Sequence, residues 1–193
     1  PPTRVKDLDV NNLLNDTGRV WKGVSGDGHN NCGFNAVLVQ TEDGHMEDCH
    51  LREKLNSLRS NLGYGNESSN QMFDTSSCPL VAALFHRPVV EVIHGCDGRV
   101  KQLYFSTPGG SVHLAGDEIL SQNFVGWCAN REWPQDEIDN LLRWFQDNLS
   151  YSQESFGETT ILEVALFLLR QPESIVLIST ENGGHFDAAP FRS

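Results

Sequence analysis

The residues whose types could carry chemistry lie in two short segments far apart in the chain. The first, SGDGHNNCGFNAV at 25–37, places Cys32 after a loop rich in glycine and asparagine and before an apolar run. The second, GGHFD at 183–187, places His185 and Asp187 two residues apart on a predicted strand, where alternate side chains share a face. A thiol at a loop-to-helix junction, an imidazole and a carboxylate that orients the imidazole are the minimum for nucleophilic cysteine catalysis.

The physical demands of that chemistry match the residues around the thiol. The thiolate is the nucleophile, and a free thiol with a pKa near 8.5 is mostly protonated, so the start of a helix and a nearby imidazole favour the reactive form. Unpaired N–H groups of the loop can meet the oxyanion that develops on the attacked carbonyl. Gly26, Gly28 and Gly33 let the backbone approach that closely.

Each of these residues also has an ordinary structural interpretation. A cysteine beside a Gly/Asn turn is commonly a small buried residue, and a single histidine on a strand is commonly a structural one. His29, between the loop glycine and the cysteine, is interpreted as a solvated loop residue. The two segments together favour catalysis over two independent structural roles.

The same segments resemble the ovarian-tumour (OTU) family of cysteine proteases. GDGHNNCGFNAV is similar to that family's Asp-Gly-x-x-Cys motif, and GGHFDAA is similar to its catalytic His-aromatic-Asn/Asp motif. IVLIST at 175–180 resembles the family's penultimate strand, and CPLVAALFHRPVVEVI at 78–93 resembles its helix followed by a strand. The resemblance covers roughly 25–45, 75–105 and 160–190, and its thinness elsewhere favours a divergent bacterial-effector or viral member.

The resemblance assigns a role to each matching residue. It implies that Cys32 is the nucleophile, His185 the general base and Asp187 the residue that orients the imidazole. It also implies an oxyanion loop that contains Asp27, Gly28 and Asn31. The chain departs from the pattern here, because its aspartate precedes the cysteine by five residues where the family has three, so two extra residues lie between them.

The resemblance implies a fold and a reaction. The expected fold class is α+β, a papain-like OTU cysteine-protease domain that spans 1–193. Its small, mainly antiparallel sheet, flanked by helices, would include 89–93, 100–105, 175–180 and 185–189. The expected enzyme is a deubiquitinase that hydrolyses isopeptide bonds after the C-terminus of ubiquitin or a ubiquitin-like modifier, without a cofactor. A narrow channel is expected, because the substrate tail must be extended.

Hydrophobic periodicity and turn signals complete the map of the chain. Apolar residues at helical spacing predict helices over 46–60 and 136–149, and cap and stop signals predict further helices over 78–86 and 160–170. Asp97-Gly98 predicts a hairpin turn. Residues 106–160 are interpreted as a helical insertion. Its tryptophans fit either core packing or an arm that binds the substrate protein. These are Trp127, Trp133 and Trp144.

Composition limits the classes of partner. With 14 basic and 26 acidic residues, the net charge of −12 argues against nucleic acid and suits a basic protein such as ubiquitin. No apolar run is long enough to span a bilayer. Five scattered cysteines predict no disulfide framework and a reducing, intracellular compartment, which is the host cytosol for an effector or viral protein. The Met-less start at Pro1 suggests a domain cut from a longer protein.

Other functions stay open at this point. A papain-like glutamine deamidase uses the same triad, and a self-processing cysteine protease would fit the Met-less start. A non-catalytic ubiquitin-binding module would bind ubiquitin without reacting. A metal site could draw on His45, Cys49 and His50, but no second half of a zinc site occurs at familiar spacing, so no metal is predicted.

Overall fold

The computed structural model describes residues 3–24, 31–41, 48–63, 73–151 and 156–192. These form an α+β fold, as predicted. The α-helices among them are α1 (Val10–Asp16), α2 (Cys32–Leu38), α3 (Asp48–Asn61), α4 (Cys78–Phe85), α5 (Phe124–Asn130), α6 (Gln135–Leu149) and α7 (Ile161–Arg170). The strands are β1 (Val89–His94), β2 (Val100–Thr107), β3 (Gly110–Ala115), β4 (Ile175–Thr180) and β5 (Phe186–Ala188). Single 3₁₀ turns occupy Val5–Asp7 and Thr75–Ser77.

The five strands form one mixed sheet with the order β3-β2-β1-β4-β5. β1 and β4 are parallel, and the other neighbouring pairs are antiparallel, so the sheet is mainly antiparallel as expected. The chain between β1 and β4 includes a hairpin, β2-β3, and three helices, α5 to α7. β5 then turns back along β4 and becomes an outer strand of the sheet.

Helices cover both faces of the sheet. Along β1 and β4 the side chains alternate, so Val90 and Val176 enter the larger apolar core, with α1, α5, α6 and α7. Val89 and Leu177 enter a smaller core on the opposite face, with α2, α3 and α4. The helix that begins at Cys32 therefore packs on the sheet face opposite the larger core.

Residues 106–160 include helices α5 and α6, and they begin with strand residues that the sequence did not predict. Residues 106–107 end β2, and 110–115 form β3, an edge strand. Pro108 and Gly109 form the tight turn between them, in which the Thr107 hydroxyl donates to the Gly110 carbonyl and accepts from the Gly109 amide. Trp127 and Trp144 are buried in the larger core. A substrate-binding role for this segment stays a prediction.

Local signals set several element boundaries. Thr160 caps α7, and its side chain and that of Glu163 form a reciprocal capping box. Gly98 has a φ of 76° in the predicted β1-β2 turn, which suits glycine. Ser77, the residue before α4, makes no side-chain cap bond to that helix. Instead, Asp74 caps the preceding 3₁₀ turn. No helix in the described ranges is long and apolar enough to cross a membrane.

Candidate active site

Cys32 is the first residue of α2, as the sequence predicts. Its side chain is 6% exposed and lies in the smaller core beside Phe186. The thiol donates a weak hydrogen bond to the carbonyl of Gly184, with 3.9 Å between sulfur and oxygen. Since Gly184 immediately precedes His185, the fold brings the cysteine to the histidine segment across a sequence separation of 152 residues.

His185 and Asp187 form the predicted pair. Nε2 of His185 lies 2.7 Å from Oδ1 of Asp187, and the two side chains flank Phe186 at the start of β5. An ionised carboxylate only accepts hydrogen bonds, so Nε2 carries the proton and Nδ1 is the basic nitrogen of the ring. The imidazole is 51% exposed and the Asp187 side chain is 15% exposed, so the ring is open to the surroundings and the carboxylate is largely covered.

Asp187 receives two further hydrogen bonds that the sequence did not reveal. The indole Nε1 of Trp21 donates to Oδ2 over 2.9 Å, and the backbone amide of Val24 donates to Oδ1 over 3.0 Å. Partial burial by itself raises the pKa of Asp187, but the bonds from Trp21, Val24 and His185 outweigh it and hold the pKa below its usual range. The carboxylate is therefore ionised at neutral pH.

The segment that contributes these donors is anchored to the body of the fold. The Lys22 amide and carbonyl pair with Ala188 of β5, so the segment adds a short extended stretch beside that strand. Arg19 is buried and donates to four backbone carbonyls. These belong to Leu169, Gln171, Ser174 and Ala189. Burial, reinforced by the nearby Arg87, lowers the pKa of Arg19 to about 10, and Glu173 partly offsets this, so the guanidinium stays charged at neutral pH.

Asn31, assigned by resemblance to the oxyanion loop, is the residue before α2 and is largely buried. Its side-chain oxygen accepts from Nε and Nη2 of Arg52 on α3, at 3.2 and 2.8 Å. The Arg52 guanidinium also lies 4.2 Å from the centre of the Phe34 ring. Asp27 and Gly28, the other two residues of that loop, lie outside the described residues, as does His29.

Aromatic packing positions the start of α2. Phe73 lies edge-on to Phe34 and to Phe186, with ring centres 5.3 and 5.1 Å apart. Its Cβ and ring also abut Gly33, where an added Cβ would lie only 2.3 Å from the Phe73 Cβ. Glycine at this position therefore lets Phe73 pack against the backbone directly after Cys32.

A groove of about 560 Å³ continues from this cluster along the same face of the sheet. Gly184, whose carbonyl contacts the Cys32 thiol, forms part of its wall. Its other walls include Phe73, Phe186, Glu91 and Glu181. Glu91 is 1% exposed, and hydroxyls of Ser179 and Thr75 and the Cys78 thiol donate to its carboxylate. Burial raises the pKa of Glu91, and these hydrogen bonds oppose the rise.

The other cysteines lie in different settings. All five are free of disulfide bonds. Burial, together with Glu91, raises the pKa of Cys78 well above its usual value, and burial raises that of Cys128 to about 12, so both thiols stay protonated. Cys49 and Cys96 are exposed.

Metal ligands do not gather in the part of the chain that the structure describes. No group of three histidine, cysteine, aspartate or glutamate side chains there could hold a metal ion. Of the three residues considered for a metal, Cys49 and His50 are exposed on α3, and His45 lies outside the described ranges.

The chain was compared with known proteins. No protein-family model matches it, and no curated protein matches its sequence. The functional reading of the site therefore rests on the motifs and on the contacts given above.

Proposed function

We propose that this protein is an OTU-type cysteine protease that hydrolyses isopeptide bonds after the C-terminus of ubiquitin or a ubiquitin-like modifier. One observation carries the proposal. The Cys32 thiol contacts the residue that precedes His185, and His185 is in turn hydrogen-bonded to a covered, ionised Asp187. A nucleophile, a base and an orienting group in this order form a cysteine-protease triad.

The contacts support a separate role for each of the three side chains. Asp187 holds Nε2–H, so Nδ1 of His185 is the nitrogen that takes the thiol proton. The Cys32 thiolate then attacks the carbonyl carbon of the substrate's terminal glycine. The resulting imidazolium protonates the departing lysine amine, the C–N bond breaks, and a thioester remains on sulfur. Water, deprotonated by the same imidazole, cleaves the thioester and frees both the ubiquitin carboxylate and the thiol.

The groove supports a polypeptide substrate. It runs from Gly184, next to the thiol, past the aromatic wall of Phe73 and Phe186. Its lining also includes two exposed acidic residues, Asp74 and Glu181, and the chain carries a net charge of −12. An extended substrate tail with basic residues suits this acidic lining better than an acidic tail does, because opposite charges attract across an interface.

The test is incubation with ubiquitin that carries an electrophile at its C-terminus. We expect one adduct, on Cys32, and none in Cys32→Ala. Cys49→Ala and Cys96→Ala are the matched controls, since they remove exposed thiols and should leave labelling intact. An adduct that persists in Cys32→Ala would contradict the assignment of the nucleophile.

Two substrates separate the proposal from the other functions. Cleavage of ubiquitin chains supports hydrolysis of the isopeptide bond, whereas ammonia release from an intact protein substrate indicates glutamine deamidation. A ubiquitin probe that binds tightly and never reacts indicates a binding module.

A further inference from the structure

We propose that Trp21 is a positioning residue of this site, and that its indole N–H makes position 187 accept a carboxylate and reject an amide. The inference rests on the proposed cysteine-protease function and goes beyond it, because it adds a fourth side chain to the triad. It also explains why this chain carries aspartate where its motif allows asparagine or aspartate.

The hydrogen-bond pattern around Asp187 carries the proposal. Oδ1 accepts from His185 Nε2 at 2.7 Å and from the Val24 amide at 3.0 Å, and Oδ2 accepts from Trp21 Nε1 at 2.9 Å. The amide and the indole can only donate. Three donors thus surround the carboxyl group, and in the described part of the chain no acceptor bonds to it.

An ionised carboxylate matches this arrangement, since both of its oxygens accept. An asparagine at the same position has one accepting oxygen and one donating NH₂ group. If the asparagine oxygen accepts from His185 and Val24, the NH₂ group points at the Trp21 N–H. If the amide is flipped, the NH₂ meets the two other donors. In either orientation a donor faces a donor, which costs more than an absent bond because neither group is then satisfied.

Contacts other than the bond to Asp187 also hold Trp21 in place. The amide of Val20 donates to the Pro190 carbonyl, and Lys22 pairs with Ala188 on the other side of Trp21. The indole also packs edge-on against His94 of β1, with ring centres 5.1 Å apart. A phenylalanine at position 21 can keep that packing and lose only the N–H, which makes Trp21→Phe a targeted change.

We expect Trp21→Phe to change kcat in opposite directions, depending on whether position 187 is aspartate or asparagine. With Asp187 present, Trp21→Phe removes a good hydrogen bond to a charged group, and we expect kcat to fall about 10- to 100-fold with KM unchanged. In Asp187→Asn, the same change removes the donor that opposes the NH₂ group. The double variant Trp21→Phe/Asp187→Asn should therefore turn over faster than Asp187→Asn alone.

The experiment compares these four proteins on ubiquitin with a fluorogenic amide at its C-terminus. A Trp21 that acts only through packing would lower kcat in both backgrounds, and that outcome overturns the proposal. Tyr104→Phe is a control, since it removes a polar group from a partly buried aromatic ring that packs against His113 of β3. It should leave kcat unchanged in both backgrounds.

A second readout needs no substrate. The asparagine orientation that keeps both bonds to the side-chain oxygen, from His185 and Val24, turns its NH₂ group toward the indole. In ¹H–¹⁵N spectra the Trp21 indole proton should therefore move upfield in Asp187→Asn, while the other indole signals report that the fold is intact. An unmoved indole signal contradicts the inference. If the signal moves but no variant, nor the wild type, cleaves ubiquitin substrates, then the hydrolase proposal fails while the contact of Trp21 with Asp187 stands.

Discussion

Gly33→Ala should destabilise this protein, whereas the same substitution at Gly126 should stabilise it. Both glycines lie in the first turn of a helix, Gly33 directly after Cys32 in α2 and Gly126 in α5. Alanine is the better helix former at both positions, by up to about 1 kcal/mol. The sign of each effect is therefore decided by what the new methyl group meets.

At Gly33 the methyl group meets a side chain that cannot move away. The added Cβ would lie 2.3, 2.4 and 2.6 Å from Cβ, Cγ and Cδ1 of Phe73, where carbon atoms normally rest about 3.5–4.0 Å apart. Phe73 is buried and wedged between the rings of Phe34 and Phe186. Overpacking of this kind costs about 1–3 kcal/mol, which exceeds the gain in helix propensity. We expect the free energy of unfolding to fall by about 1–2 kcal/mol.

At Gly126 the methyl group meets little. Its nearest contact would be Oδ1 of Asn123 at 3.5 Å, an ordinary van der Waals distance. The Asn123 side chain keeps its cap bond to the amide of residue 126, since the substitution leaves that amide in place. The helix-propensity gain then acts alone, and we expect stabilisation of up to about 1 kcal/mol.

Urea denaturation followed by circular dichroism measures both changes, with thermal unfolding as a check. A loss of 1–2 kcal/mol corresponds to a fall in Tm of about 2–8 °C for a protein of this size. Gly33→Ala should also slow labelling of Cys32, because the displaced Phe73 packs beside it. Equal stability of the two alanine variants would refute the packing argument.

Three further predictions concern the charged groups. Asp187→Ala should lower kcat by one or more orders of magnitude and combine non-additively with His185→Ala in a double-mutant cycle; a wild-type rate would place the orienting group elsewhere. Asp27→Ala should lower turnover by about 10- to 1,000-fold if Asp27 stabilises the oxyanion loop, and unchanged turnover would assign that role to another residue such as Asn31. Glu91→Gln should raise the free energy of unfolding at neutral pH, because burial raises the pKa of Glu91 and its folded carboxylate therefore costs stability above that pKa. The hydroxyls of Thr75 and Ser179 and the Cys78 thiol can also accept from the new amide, unlike the donors around Asp187. The gain should shrink as pH falls through the folded pKa, and a gain that persists below the usual glutamate pKa of about 4.3 would contradict it.

Local patterns in the sequence determine part of the site. A two-residue period places His185 and Asp187 side by side, and their 2.7 Å contact follows from strand geometry within three residues of chain. The capping signal of Thr160 and the Asp97-Gly98 turn are local for the same reason. The helix that begins at Cys32 was likewise readable from the loop and apolar run around it.

The position of a strand at the edge of a sheet, and the strand that it pairs with, depend on residues far away in the sequence. The glycine-rich start of β3 is typical of a turn, so its sequence does not predict a strand. Its pairing with β2, in which Phe105 lies opposite Val112, makes it one. Whether such a segment forms a strand depends on hydrogen bonds to a neighbouring strand, and the composition of the segment itself does not predict those bonds.

The surroundings of the proposed triad depend on the tertiary structure alone. The contact of Cys32 with Gly184 and the bond from Trp21 to Asp187 join residues 152 and 166 positions apart. Both depend on strand order, on the register of the segment beside β5 and on single side-chain rotamers. Motif spacing carries no information about these, because a hydrogen bond is made or lost within a few tenths of an ångström. The sequence by itself thus indicates the candidate reacting groups, and the tertiary structure determines which donors orient them.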